Sequence, residues 1–187
     1  MSIRTYEDYL KYLAADRNRN GAPSIKNWVL WNDNNRIQRL LYYLRKVEFY
    51  SNQCGFQHKI AFAIWNWLFR RQRVLTDIML FPGTIGPGIQ LMHPGFRRID
   101  SFVRIGNNCT ILPMVLCGRK HPNDKDSLII IGDNCYISTG VTILGPVNIG
   151  DNVVIGAGAV VLNDIPDNSI VGGVPAKILK KRNLSKI

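Results

Sequence analysis

Residues 131–161 read IGDNCYISTGVTILGPVNIGDNVVIGAGAVV, and six apolar residues fall six apart within them: Ile131, Ile137, Ile143, Ile149, Ile155 and Val161. Glycine follows the aliphatic residue three times, as Ile131-Gly132, Ile149-Gly150 and Ile155-Gly156. A helix repeats near 3.6 residues and an ordinary strand near 2. A six-residue period requires every sixth side chain to return to one interior line. A coil of short parallel strands, one inward aliphatic per flat side with tight turns between sides, meets that requirement.

The period continues upstream with two faults. Ile99, Ile105, Ile111 and Cys117 form one run, and Met79, Ile85 and Leu91 another. The step from Leu91 to Ile99 is eight, so two residues are extra near His93. The step from Cys117 to Ile131 is fourteen, which is two repeats plus two residues or one repeat with a longer protruding loop. Each extra stretch holds a histidine, His93 or His121. Insertions in a coil become surface loops, where binding and catalysis concentrate.

Residues 1–75 read as a helical N-terminal domain, and residues 76–187 as the coil with a C-terminal tail. Tyr6, Tyr9, Leu10 and Leu13 recur at helical spacing, until Asn18 to Pro23 breaks the segment. A second helix is expected from about Asn35 to Tyr50, with Ile37, Leu40, Leu41, Leu44 and Val47 on one face and Arg36, Arg39, Arg45 and Lys46 off it. A third covers about His58 to Leu75, aromatic first and then basic at Arg70, Arg71 and Arg73. It packs on the other helices or a neighbouring subunit, or lies on a membrane surface. Pro82-Gly83 mark the passage into the coil. The helices and the tail after Gly173 are the candidates to cover its open ends.

The net charge is +11, with 13 basic and 5 acidic residues in 1–75 against 11 and 8 in 76–187. Such an excess suits a polyanion or a phosphorylated co-substrate, but no nucleic-acid-binding motif accompanies it. The polar, charged start is not a secretory signal, no apolar run approaches the roughly 20 residues of a spanning helix, and the four cysteines lack paired spacing. A reducing cytoplasm is the expected setting.

The Ile-Gly hexapeptides, Asp164-Ile165-Pro166 and Gly173-Val174-Pro175-Ala176-Lys177 resemble the hexapeptide-repeat acyltransferases. With the helical preface, His93 and His121, the chain is most similar within that family to bacterial serine O-acetyltransferases. The resemblance implies a left-handed parallel β-helix, usually trimeric and in the serine enzymes a dimer of trimers, with acetyl-CoA between coils. It implies His93 as general base, with His121 across the site on the substrate; in sugar acetyltransferases a histidine resembling His121 is instead the base. Thr139, Gly140, Ala157 and Gly158 match the CoA groove, with Gly118 and with Lys177 near the phosphates. No metal is expected.

An imidazole suits the chemistry, because a hydroxyl must lose its proton as it attacks a thioester. The oxyanion needs donors, which Gly95, Gly118 and Gly140 offer as backbone N–H groups. Departures from the serine pattern are plain. Met92 stands where aspartate precedes the first histidine, Ile78 where an orienting aspartate is usual with Asp77 beside it, and Lys120 where arginine precedes the second histidine. Asp77 and Lys120 are therefore the substrate-side candidates, and serine competes with a sugar or polysaccharide hydroxyl as acceptor. A three-histidine metal enzyme would need His58 in the coil. A non-catalytic trimeric scaffold is the remaining alternative.

Overall fold

The computed structural model describes residues 3–21, 33–124 and 126–182; Pro23, assigned above to a helix break, lies outside them. Helix α1 spans Tyr6–Asn20, α2 Asp33–Tyr50 and α3 Phe56–Thr76. Thr5 starts α1 with a capping box, its hydroxyl accepting from the Asp8 N–H while the Asp8 carboxylate accepts from the Thr5 N–H. The helix runs on to Asn20 and ends at Gly21, and only Tyr9 and Leu13 of its four expected apolar residues are buried. The expected face of α2 is buried throughout.

Three parallel sheets follow, each one flat side of a prism. Side A holds β1 (Ile78–Met79), β3 (Arg97–Ile99), β6 (Val115–Arg119), β9 (Thr142–Gly145) and β12 (Val160–Val161). Side B holds β4 (Val103–Ile105), β7 (Ile129–Ile131) and β10 (Val147–Ile149). Side C holds β2 (Gln90–Leu91), β5 (Thr110–Ile111), β8 (Tyr136–Ile137), β11 (Val154–Ile155), β13 (Ser169–Gly172) and, antiparallel, β14 (Lys177–Lys181). The chain visits A, B and C in turn, as a three-sided parallel β-helix does, and the fold is the left-handed β-helix.

The six-residue columns point inward as expected from Ile85 onward, at 0–3% exposure. Met79 does not: it is 37% exposed, while its neighbours Ile78 and Leu80 are fully buried. Pairing of Ile78 with Arg97 and Met79 with Arg98 sets this register, so the first corner is one residue shorter than the period requires. The fourteen-residue step resolves into one corner carrying a long loop, 120–128, between sides A and B.

At the B-to-C corners one coil stacks directly on the next. A Cβ on Gly132 would stand 2.2 Å from Asp151 Oδ1 and 2.7 Å from the Gly150 carbonyl carbon, so glycine is required by contact there. The aspartates that follow these glycines bond vertically: the Asp133 N–H donates to Asp151 Oδ1 at 2.7 Å and the Asp151 N–H to Asp167 Oδ1 at 2.8 Å.

The helices close the first coil through a buried ion cluster. The Arg45 guanidinium, expected off the packed face, is fully buried and meets Asp16 at 2.7 Å and Glu48 at 2.8 Å. It also donates to the Ile85 and Gly86 carbonyls, while Asp16 and Glu48 accept from the Gly88 and Gly83 amides. The three charges pair among themselves and satisfy backbone groups of the open coil, and that is what makes their burial tolerable. At the other end β14 pairs with β13.

Candidate active site

The C-to-A corners form one continuous edge. Along it stand the His93 turn (92–96), then Pro113 and Met114, then Thr139 and Gly140, then Ala157 and Gly158, and last the turn before Lys177. Hydrogen bonds tie each level to the next: the Met114 N–H donates to the Phe96 carbonyl, Gly140 N–H and Thr139 Oγ1 to Pro113 O, and Gly158 N–H to Thr139 O. Thr139, Gly140, Ala157, Gly158 and Lys177 are all exposed. Gly140 (φ 73°) and Gly158 (φ 68°) take left-handed turn positions, and space beyond Gly158 is open, so glycine there leaves the edge bare for a ligand's approach.

Gly95 and Gly140, considered above as oxyanion donors, are already engaged: their amides donate to Thr76 O at 3.3 Å and Pro113 O at 3.2 Å. Among the described residues the amides of Thr139 and Ala157 carry no backbone partner. These two were assigned by sequence to the groove on other grounds.

His93 is exposed and sits at φ 59°, a left-handed conformation that costs a non-glycine residue free energy. What holds it is Arg97, fully buried and donating to four carbonyls: Met92 O, His93 O at 2.8 Å, Gly95 O at 3.1 Å and Ile111 O at 3.2 Å. Burial pulls the guanidinium down to about 10, which leaves it charged at neutral pH. Sequence reasoning passed over Arg97, although it lies two places before inward Ile99 on a strand and so faces inward too.

A cleft of about 220 Å³ adjoins His93, lined by Arg19, Asn20, Ile37, Gln90, Leu91 and Met92. Among the described residues no carboxylate lines it. Arg19 is anchored there, donating to Thr110 Oγ1 at 2.9 Å and Gln90 Oε1 at 3.2 Å. Asp77 is exposed at the end of α3, and its carbonyl accepts from the Arg97 N–H at 3.1 Å. It is thus one coil below the His93 turn, though among the described residues its carboxylate makes no hydrogen bond to His93. Ile78 beside it is buried in the core.

His121 and Lys120 are exposed on the loop at the A-to-B edge, the opposite end of side A. The His121 N–H donates to Asp124 Oδ2 at 2.9 Å, closing the turn. Side A separates the two histidines within one protomer: with strand rise near 3.3 Å per residue, they stand on the order of 20 Å apart. Gly118 is on β6, away from the other co-substrate candidates, in an open groove of about 520 Å³ with Arg98, Asp100, Ser101, Phe102, Leu116 and Arg119. Arg119 lies over the Phe102 ring at 5.2 Å. His58 packs against Tyr50 in the helical part. Among the described residues no three metal-ligating side chains cluster, and no helix is long and apolar enough to cross a membrane.

Residues 129–163 match the family model for bacterial transferase hexapeptides (six repeats). A putative acetyltransferase of Schizosaccharomyces pombe is 44% identical over 140 residues, covering 60% of this chain and 68% of its own. A serine acetyltransferase of Bacillus subtilis is 33% identical over 138 residues, 65% of this chain. This chain spans 60% of that protein and 57% of a serine acetyltransferase from Synechococcus elongatus. A solved serine acetyltransferase of Neisseria gonorrhoeae, in complex with serine, superposes with TM-score 0.66 at 26% identity, covering 94% of this chain and 70% of that one. The prism and these similarities agree: the chain belongs to the hexapeptide-repeat acyltransferase family, and it is similar to serine acetyltransferases over about two thirds of its length.

Proposed function

We propose that this protein is an acetyl-CoA-dependent O-acetyltransferase working at the C-to-A edge. The observation that carries the reading is that edge itself, where His93 stands at the head of bare, small-residue turns with two unpartnered amides. The pantetheine arm runs along Thr139, Gly140, Ala157 and Gly158, where the free amides of Thr139 and Ala157 and the lack of bulk at the two glycines suit it, and Lys177 meets the phosphates. His93 takes the acceptor's hydroxyl proton as the oxygen attacks the thioester carbonyl. The tetrahedral intermediate collapses with loss of the C–S bond, and the imidazolium returns the proton to the departing CoA thiolate. The products are an acetyl ester and free CoA.

His121, too far from His93 in one protomer, acts from a neighbouring protomer of a trimer, bringing Lys120 with it. Serine is the acceptor that the relatives suggest. A sugar hydroxyl is the second reading, and one observation favours it: among the described residues no carboxylate lines the cleft beside His93 to hold an ammonium group. Thiol release from acetyl-CoA, measured with L-serine and with a panel of hexoses and nucleotide sugars, distinguishes them. Turnover with serine alone assigns the serine reaction, turnover with a sugar alone the second, and release with no hydroxyl acceptor refutes both.

A further inference from the structure

Helix α3 carries apolar side chains on two faces, one packed and one exposed. One packs Phe62, Trp65 and Phe69 against α2 and the first coil. The other leaves large apolar side chains in solvent: Phe56 at 78% exposure, Ile60 at 47%, Ile64 at 54%, Trp67 at 62% and Val74 at 82%. These positions fall 4, 4, 3 and 7 apart, so at 100° per residue they share one stripe along the whole helix. The exposed apolar area is on the order of 500 Å², at the upper end of what single chains show. Lys59, Arg70 and Arg71 border or interrupt the stripe and are exposed. The helix carries no acidic residue from Phe56 to Thr76.

We propose that this face of α3 rests on the surface of an anionic lipid bilayer. The charge selects this occupant. A second copy of the same face would bring Arg70 and Arg71 against like charges with no acid on the helix to relieve them. A bilayer accepts both halves of the pattern: phenylalanine, isoleucine and tryptophan enter the headgroup–acyl boundary, while lysine and arginine meet anionic headgroups. The chain before α3 has the same sign, since residues 1–55 hold 9 basic and 5 acidic residues. Contact of this kind lies in the plane of the surface, consistent with the absence, among the described residues, of a spanning helix. It does not depend on the reaction proposed above.

The test is sedimentation of the full-length protein with vesicles of phosphatidylcholine containing phosphatidylglycerol as about a third of the lipid, against phosphatidylcholine alone. Binding is expected only to the anionic vesicles, weakening as salt rises, with a blue shift of tryptophan emission. The Ile64→Glu/Trp67→Glu variant is expected to lose at least about tenfold in vesicle affinity while keeping its size in solution, its melting temperature and its thiol-release rate. A gentler Trp67→Ala variant reads the same effect in smaller measure should the double variant fold poorly. Three results overturn the proposal: no binding to anionic vesicles; binding that both variants leave unchanged, the mark of charge alone or an acidic partner; or a change of assembly size in the variants, which would give the face to a second copy.

Discussion

Replacing Arg97 with methionine removes the one side chain that, among the described residues, holds the His93 turn from inside. The guanidinium serves four carbonyls, three of them within residues 92–95. Those three are partly exposed, so water replaces much of what is lost, and release of a buried unpaired cation offsets part of the remainder. What is not replaced is the restraint on His93 at φ 59°, a conformation costing about 1–2 kcal/mol. Letting the turn relax by about 2 kcal/mol reduces the competent population, and with it kcat, about 30-fold. KM for acetyl-CoA should hold within about twofold, because the edge from Pro113 to Gly158 is untouched. Arg97→Lys, which keeps the charge but not the fork, should fall between. The assay is thiol release with an acceptor that the unaltered protein turns over, alongside thermal melting. A folded Arg97→Met protein with unchanged kcat, or one whose loss lies wholly in KM, refutes the reasoning.

Other consequences can be measured singly. Gly158→Ala meets no neighbour, so its stability cost should be about 1 kcal/mol from its positive φ, yet the methyl stands on the proposed pantetheine track; calorimetric affinity for CoA should fall while His93 chemistry at saturation persists. Arg45→Met strands two buried carboxylates and should lower urea-unfolding stability by about 3–5 kcal/mol; a loss below about 1 kcal/mol would deny the ion cluster its role in closing the coil. Burial, with a smaller contribution from Asp100, pushes the Cys117 thiol up to about 12, so it stays protonated at neutral pH. Maleimide labelling of the native protein should therefore reach exposed Cys54 and spare buried Cys109, Cys117 and Cys135.

The coil was legible because its signal is repetitive: columns such as Ile99–Cys117–Ile143–Val161 mark themselves, and a fault in the count marks a loop. His93 and His121 were found in this way, by interruption rather than by motif. Met79 was misplaced because the period was extended by counting alone, and the short first corner shifts the inward role to Ile78 and Leu80. Arg45 falls off the apolar face in the sequence pattern, and its burial depends on Asp16 of another helix and on carbonyls of residues 85–86, which no local pattern reveals. Arg97 is the more instructive omission. Strand alternation with Ile99 points it inward, but the hexapeptide count follows aliphatic positions alone and so steps over a charged residue in the same role. The distance between the two histidines was never in the sequence; it follows from the width of side A.

That distance permits the most direct test. The account requires His93 from one protomer and His121 from another in each site. His93→Ala and His121→Ala proteins, each inactive alone, should regain acetyl transfer when unfolded together and reassembled. Mixtures no more active than the separate variants, though mixed assemblies are present, would contradict it.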